Sequence, residues 1–343
     1  MDRKLKLGIF AGILALLVAF AGYKLLISGR NTPEYALQIV EKSVENHNKA
    51  DFYKVVNLES ILDDSYSSIV EGVTDADQSM TEDARAAVKS FTEMLREPLL
   101  LSLKAAVDSY VETGEFNKEE NASIKTLLEK TGLDKFKYRQ IESVAINPKN
   151  SNEATARIAV YQTELNEVIL FNVMLQRNSK DDWQIVSIQN FQQFIDKLNA
   201  YRRAQLDEYL AQSEKIIAAH EDSIIDAEQK YHEILSRGTL GQDEIRTEIK
   251  NLMTEVFKND WENRKQELSE LEVPSGAKTL HNLRMKICDL EIGYAEDYAQ
   301  WMTDKKAETV KSAEEKRNRA RTLRNDEEIL TRRLSNQELR YEY

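Results

Sequence analysis

The 343-residue chain has few of the residues that interrupt regular structure, only 11 glycines and 4 prolines. That scarcity excludes collagen-like and low-complexity chains and predicts long helices. A single cysteine, Cys288, excludes an intramolecular disulfide and a thiolate zinc site. Positive charge is in deficit, 47 Lys+Arg against 59 Asp+Glu, and the net −12 repels nucleic-acid phosphates, so no nucleic-acid partner is expected. No phosphate loop, dinucleotide glycine pattern, nucleophile elbow or kinase motif set is present. What is present is 41% hydrophobic and 31% charged residues, enough to build a core.

The longest apolar run is at the amino terminus. Leu7 to Tyr23 carries no charge, and with Lys24 snorkelling it continues through Leu25, Leu26 and Ile27 to about 21 residues, the length of a bilayer crossing. Arg3, Lys4 and Lys6 precede it and favour a cytoplasmic amino terminus with the rest exported. One reading is a single-pass plasma-membrane anchor that meets the lipid bilayer through Leu7–Ile27. The other is a signal peptide, with Ala19-Phe20-Ala21 as the small-x-small site and a secreted protein released at Ala21. Both place the bulk of the chain outside the cytoplasm.

Beyond residue 30 the chain reads as an α+β domain over 31–197. Thr32-Pro33-Glu34 starts a helix, because Thr32 can accept from free backbone N–H groups and Pro33 suits the first turn. Short helices follow through Phe52, Val55 and Val56 and from Leu58 onward. A long helix opens at Thr81, bends at Pro98 and is stopped by Gly114. From Phe136 the apolar period changes from 3.6 to 2, predicting strands around Tyr138–Ile146, Ala154–Val160, Val168–Leu175 and Trp183–Ile188. The nearly continuous apolar run Val168–Leu175 predicts a central strand covered on both faces. Hairpin-length links, Thr163–Glu167 and Asn178–Asp182, predict one antiparallel four-stranded meander packed against the helices.

The run Thr32-Pro33-Glu34-Tyr35-Ala36-Leu37, then His47-Asn48, Phe52, Val55-Val56-Asn57-Leu58, Ile61-Leu62 and, far downstream, Asp182-Trp183-Gln184-Ile185-Val186-Ser187-Ile188-Gln189-Asn190-Phe191, resembles bacterial membrane-anchored domains of unknown function. Those domains are similar to the cone-shaped α+β fold of nuclear transport factor 2-like proteins. The resemblance spans about 31–197 and implies a curved sheet under helices in a binding or dimerising module, with enzymes a minority. It also implies a candidate ligand pocket at Phe52, Tyr138, Tyr161 and Trp183, where cone-fold proteins line their cavity; core packing is the competing reading. The helical insert from Thr81 to Gly132 departs from that pattern and would cap or fill the cone.

Past Phe194 the pattern is helical to the end. Leu210, Ile217, Ile224 and Tyr231 recur every seven residues, with Leu206, Ser213, His220, Ala227 and Ile234 at the second seam position, a coiled-coil-like stripe that calls for a partner. Turns at Ser236–Gly241 and Val273–Gly276 predict an antiparallel three-helix coiled-coil-like bundle over 198–302. The tail, 303–343, reads as a charged helix or frayed extension. The seam predicts a protein partner or self-association.

Chemistry-bearing residues are sparse. His47 matches the cone-fold pattern, but the expected role is that of a helix C-terminal residue satisfied by the dipole or a carbonyl. His220, His232 and His281 lack metal-pair spacing, and Cys288 sits beside a seam residue. Lys316, Arg317, Arg319, Arg321 and Arg324 are interleaved with acids at i,i+4, which reads as a self-neutralising surface. No cofactor, metal or catalytic residue is expected. The leading expectation is a non-enzymatic, membrane-anchored extracytoplasmic scaffold; the alternatives are a secreted small-ligand carrier and a cryptic cone-fold hydrolase or isomerase.

Overall fold

The computed structural model describes residues 31–77, 80–114 and 121–335. The expected anchor or signal segment, Leu7–Ile27, lies outside the described residues. Among the described residues no helix is long and apolar enough to cross a membrane. The chain falls into two compact units divided between Tyr201 and Arg202.

The first unit is α+β. Helices α1 (Pro33–Glu45), α2 (Lys49–Val55), α3 (Leu58–Asp75) and α4 (Glu82–Met94) each begin on a side-chain cap: Thr32, Asn48, Asn57 and Thr81 accept a backbone N–H three residues on. The expected long helix from Thr81 is instead two, α4 and α5 (Arg96–Thr113), meeting at Leu95. The break comes three residues before Pro98, because a proline ring clashes with the carbonyl four residues back but is tolerated in a first turn. Gly114 ends α5 in the left-handed conformation at φ 70°. One more helix, α6 (Asn121–Thr131), precedes the sheet.

Strands β1 (Phe136–Asn147), β2 (Asn150–Gln162), β3 (Glu167–Arg177) and β4 (Trp183–Ile188) form the antiparallel meander in the order β1-β2-β3-β4. Register places Ala156 opposite Val173 and Ile158 opposite Phe171, so Ala154, Ala156, Ile158, Val160, Phe171, Val173 and Leu175 share the buried face. The doubly covered reading of Val168–Leu175 is corrected here. Val168 is exposed and Leu170 and Met174 are half-exposed, because only the alternate residues meet the helices. Val56 bridges Ile185, and the Asn57 N–H donates to the Ile185 carbonyl, which ties the α2–α3 link to β4.

The second unit is helical. It takes the later part of α7 (Phe191–Arg237), then α8 (Asp243–Asn251), a π-helical turn at Leu252–Phe257, α9 (Lys258–Ser269), α10 (Lys278–Asp304) and α11 (Ala307–Leu334). Ile245, Ile249, Met253, Phe257 and Trp261 are all buried at a spacing of four. That spacing drifts about 40° per step on a 3.6-residue helix, and the wider π turn takes up the drift. The expected tail is a fourth bundle helix. α11 runs antiparallel to α10 through Lys316–Asp297 (2.6 Å), Arg324–Glu291 (2.6 Å) and Arg284–Glu327 (2.8 Å). Its buried residues Ala313, Ala320 and Leu334 mark a seam of sevens that the small alanines conceal in sequence.

Candidate binding cleft

The four aromatics of the expected pocket do not gather around a cavity. Phe52 and Trp183 are buried in the core of the first unit, and Tyr138 packs against that core from the edge strand. Tyr161 alternates to the opposite face of β2, where its hydroxyl bonds Asn166 and Arg139 stacks over its ring. Arg177 lies 5.0 Å from the Trp183 ring centroid and closes the approach to that indole.

The seam residues are likewise occupied within the chain. Leu210 is buried with Leu206, Tyr209, Ala277, Leu280 and Leu334, while Ile224 and Tyr231 pack on the larger bundle core and Ile217 is half-buried. The fully covered stripe is the second one, Leu206, Ser213, His220, Ala227 and Ile234.

Several of the remaining sequence candidates have structural partners. His47, at φ 54°, donates from Nδ1 to the Val111 carbonyl (3.2 Å) and abuts Gly114 at the end of α5. His220 lies between Asp260 (2.9 Å from Nδ1) and Glu267 (3.3 Å from Nε2), on opposite sides of the ring. The Tyr209 hydroxyl is 3.3 Å from His281 Nδ1. Burial pushes the Cys288 thiol up to about 11, which keeps it a thiol at neutral pH. Lys316, Arg317 and Arg324 are spent on Asp297, Glu228 and Glu291. Among the described residues no group of three or more His, Cys, Asp or Glu is placed to hold a metal ion.

What the structure does build is an apolar cleft of about 440 Å³ in the first unit, walled by α3, α4, α5 and α6. Two ion pairs and one hydrogen bond fasten the insert to α3: Arg85 to Asp75, Arg96 to Asp63 (2.7 Å), and the Tyr66 hydroxyl to the Thr92 carbonyl. Between those clamps α4 buries no residue of its own. Its apolar arc runs from Val88 through Leu95 and Phe91 to Met94, wider than the surface it rests on. Val88 faces the cleft, whereas Phe91 and Met94 remain 59% and 81% exposed and Leu101 on α5 64% exposed.

The cleft offers little polarity. Thr74 Oγ1 donates to the carbonyls of Val70 and Glu71, and Thr92 Oγ1 to those of Val88 and Lys89. These two protons are thus committed within their own helices, while Ser102 and Thr126 add two further hydroxyls to the lining. Among the described residues Lys130 is the one charged side chain of the lining, and it has an interaction partner of its own. A second groove of about 490 Å³, beside the start of α3, is polar, lined by Glu59, Asp63, Glu97 and Lys104 among others. Sequence reasoning passed over Tyr66, Ile69, Val73, Val88 and Leu103. The signal that could have found them is the broad apolar arc of α4, too wide for a helix resting on one neighbour. No protein-family model matches the chain, and neither the curated proteins nor the solved structures compared with it give a match.

Proposed function

We propose a non-enzymatic binding protein, held at the outer face of the bacterial plasma membrane by Leu7–Ile27 with its amino terminus in the cytoplasm, that binds through the cleft between α3, α4, α5 and α6. The observation that carries the binding role is that cleft, about 440 Å³ of largely aliphatic wall beside the unpartnered side chains Phe91, Met94 and Leu101. The commitment of the Tyr66, Thr74 and Thr92 hydroxyl protons to carbonyls supports binding by shape and desolvation over general acid–base work. The bundle remains a scaffold in this reading: a protein partner or a second copy would have to meet its outer surface, since the seam is filled by the chain's own helices. The resemblance to cone-fold domains favours the same class of binding module.

The anchored and the secreted carrier readings share the cleft and differ in whether the chain is released at Ala21. Both are tested with a photo-cross-linking residue, p-benzoylphenylalanine, placed at Leu99 in the cleft or at Ile225 on the bundle surface of the full-length chain in its own membranes. The expected result is an adduct from position 99, none from 225, and a chain of full mass in washed membranes. Adducts from 225 alone would return the binding role to the bundle, and a soluble chain beginning at Gly22 would replace the anchor with the carrier.

A further inference from the structure

We propose that the outward ridge of α4 and α5 pairs antiparallel with the same ridge of a second copy of this chain, through a surface distinct from the cleft and on the outer side of the helices that wall it. The two helices make one line. Arg85, Thr92 and Arg96 meet Asp75, Tyr66 and Asp63, successively earlier residues of α3, and Asp108 then meets Tyr53 and Lys49 of α2. The joint at Leu95 keeps the helical bond spacing, since the Leu95 N–H donates to the Phe91 carbonyl (3.2 Å) and the Leu99 N–H to the Leu95 carbonyl (3.0 Å). Along that line Ala84, Ala87, Phe91, Met94, Pro98 and Leu101 are all exposed, at alternating steps of three and four. That is the 3.5-residue repeat of a coiled-coil seam.

Charge selects a second copy as the occupant. Between Glu82 and Lys104 four acids, Glu82, Asp83, Glu93 and Glu97, balance four cations, Arg85, Lys89, Arg96 and Lys104. Two chains of net −12 can therefore meet here without net repulsion between the ridges. The edge of the ridge is also self-complementary. Asp83, Ser90, Glu97 and Lys104 follow at steps of seven, and neither Asp83 nor Lys104 has an ion-pair partner among the described residues. An antiparallel pairing that sets Phe91 against Met94 of the second copy sets Asp83 against Lys104 twice over and leaves Glu97 facing Ser90. A slip of one heptad sets Glu97 against Glu97. A parallel pairing faces the charged edge with Val88, Leu95 and Ser102, which carry no charge. Opposite charges at such edges fix orientation and register. The strip, about 25 Å long and about 10 Å wide, is small beside the ~800 Å² per partner of a standard interface, so the pair is weak and dissociates on dilution.

The test uses the full-length chain in phosphatidylcholine vesicles, with single cysteines added and the buried Cys288 retained as a silent control. In the antiparallel pair Ala84 faces Leu101 of the second copy, whereas like positions stand about 25 Å apart at about 1.5 Å per residue. An equal mixture of Ala84→Cys and Leu101→Cys chains, one carrying a mass tag, should give the mixed disulfide on oxidation with copper phenanthroline, and each chain alone none. Asp83→Lys in both chains should slow that disulfide severalfold. Asp83→Lys in one chain with Lys104→Asp in the other should restore it, since every reversed charge then meets its opposite. Met94→Asp in both chains, at a position exposed in the single chain, should slow it at least tenfold, and Ile225→Asp should leave it unchanged. No mixed disulfide, a disulfide from either chain alone, no restoration by the reciprocal exchange, or no loss in Met94→Asp would each overturn the proposal. The adduct sought from position 99 reads the cleft separately, so failure here leaves the binding role of the cleft standing.

Discussion

Two buried arginines in the bundle should respond to the same substitution with opposite signs. Arg264 is 8% exposed, its Nε has no hydrogen-bond partner, and its guanidinium rests 4.6 Å from the Trp261 ring centroid without a carboxylate in contact. Burial, the largest influence, holds its pKa below the usual arginine value. The orphaned N–H costs about 1–3 kcal/mol, desolvation of the cation adds more, and stacking on the indole returns about 1–2 kcal/mol. Arg264→Met keeps the volume and removes the charge, so the second unit should gain about 1–2 kcal/mol, or about 3–6 °C in Tm for a unit of this size. Arg284, 2% exposed, is fully engaged by Glu327 (2.8 Å), Ser213 and Thr331. Arg284→Met strands the Glu327 carboxylate in the core and should cost about 3–5 kcal/mol. The double change Arg284→Met with Glu327→Met should recover most of that loss. Urea unfolding of the full chain, followed by helical circular dichroism, reads all four proteins. Destabilisation of Arg264→Met by more than about 1 kcal/mol would refute the reasoning, since it would mean the guanidinium contributes more than it costs.

Gly114→Ala would put a Cβ 2.8 Å from His47 Cε1 at a φ of +70°, and should cost about 1–2 kcal/mol in thermal unfolding of the first unit. Within the bundle, Ala227→Leu forces volume into a fully buried seam position and should cost about 1–3 kcal/mol. Two residues earlier Ile225→Asp, on an exposed position, should stay within about 0.5 kcal/mol; reversed costs would show that the stripes are misassigned. Burial, then Arg284, holds the His281 imidazole below its usual pKa. The folded state therefore disfavours the proton, and stability present above about pH 6.5 is lost as pH falls toward the depressed value, because the unfolded chain protonates first. The urea midpoint between pH 7.5 and 5.5 should fall less steeply in His281→Gln than in the parent; equal slopes would exclude His281 as a source of that dependence.

The legible parts of this chain are those where local chemistry and periodicity agree. Thr32-Pro33 and Gly114 mark helix ends because capping and the left-handed turn depend on one or two residues. The four strands and the hairpin links around Asn166 and Asp181, both at positive φ, follow from period two and turn composition. What was illegible depends on partners distant in sequence. Whether Val168, Leu170 and Met174 are covered depends on what lies over the second face of β3, and a run of apolar residues is silent about that. The aromatics implied by the resemblance became core or outer-face residues because strand alternation separates Tyr161 from Tyr138. The cleft was missed because its walls come from four helices, each unexceptional alone.

The seam of α7 shows why a heptad stripe is an incomplete argument for a partner molecule. Leu210, Ile224 and Tyr231 need cover, but the cover is supplied by this chain. Part of it comes from α11, where the core positions Ala313, Ala320 and Leu334 continue at steps of seven through Glu327, the carboxylate that binds Arg284. An alanine contributes little to a hydropathy pattern yet lets two helices approach closely, and a glutamate reads as solvent-facing until its arginine is found on another helix. Once α11 closes the bundle, its large exposed apolar residues among those described reduce to Ile225 and Ile329, whereas the insert shows Phe91, Met94 and Leu101 beside an open cleft. Exposed apolar surface carries a solubility cost, and the insert bears it at Phe91, Met94 and Leu101 beside the cleft, which is why the proposed binding role is set there and not on the bundle.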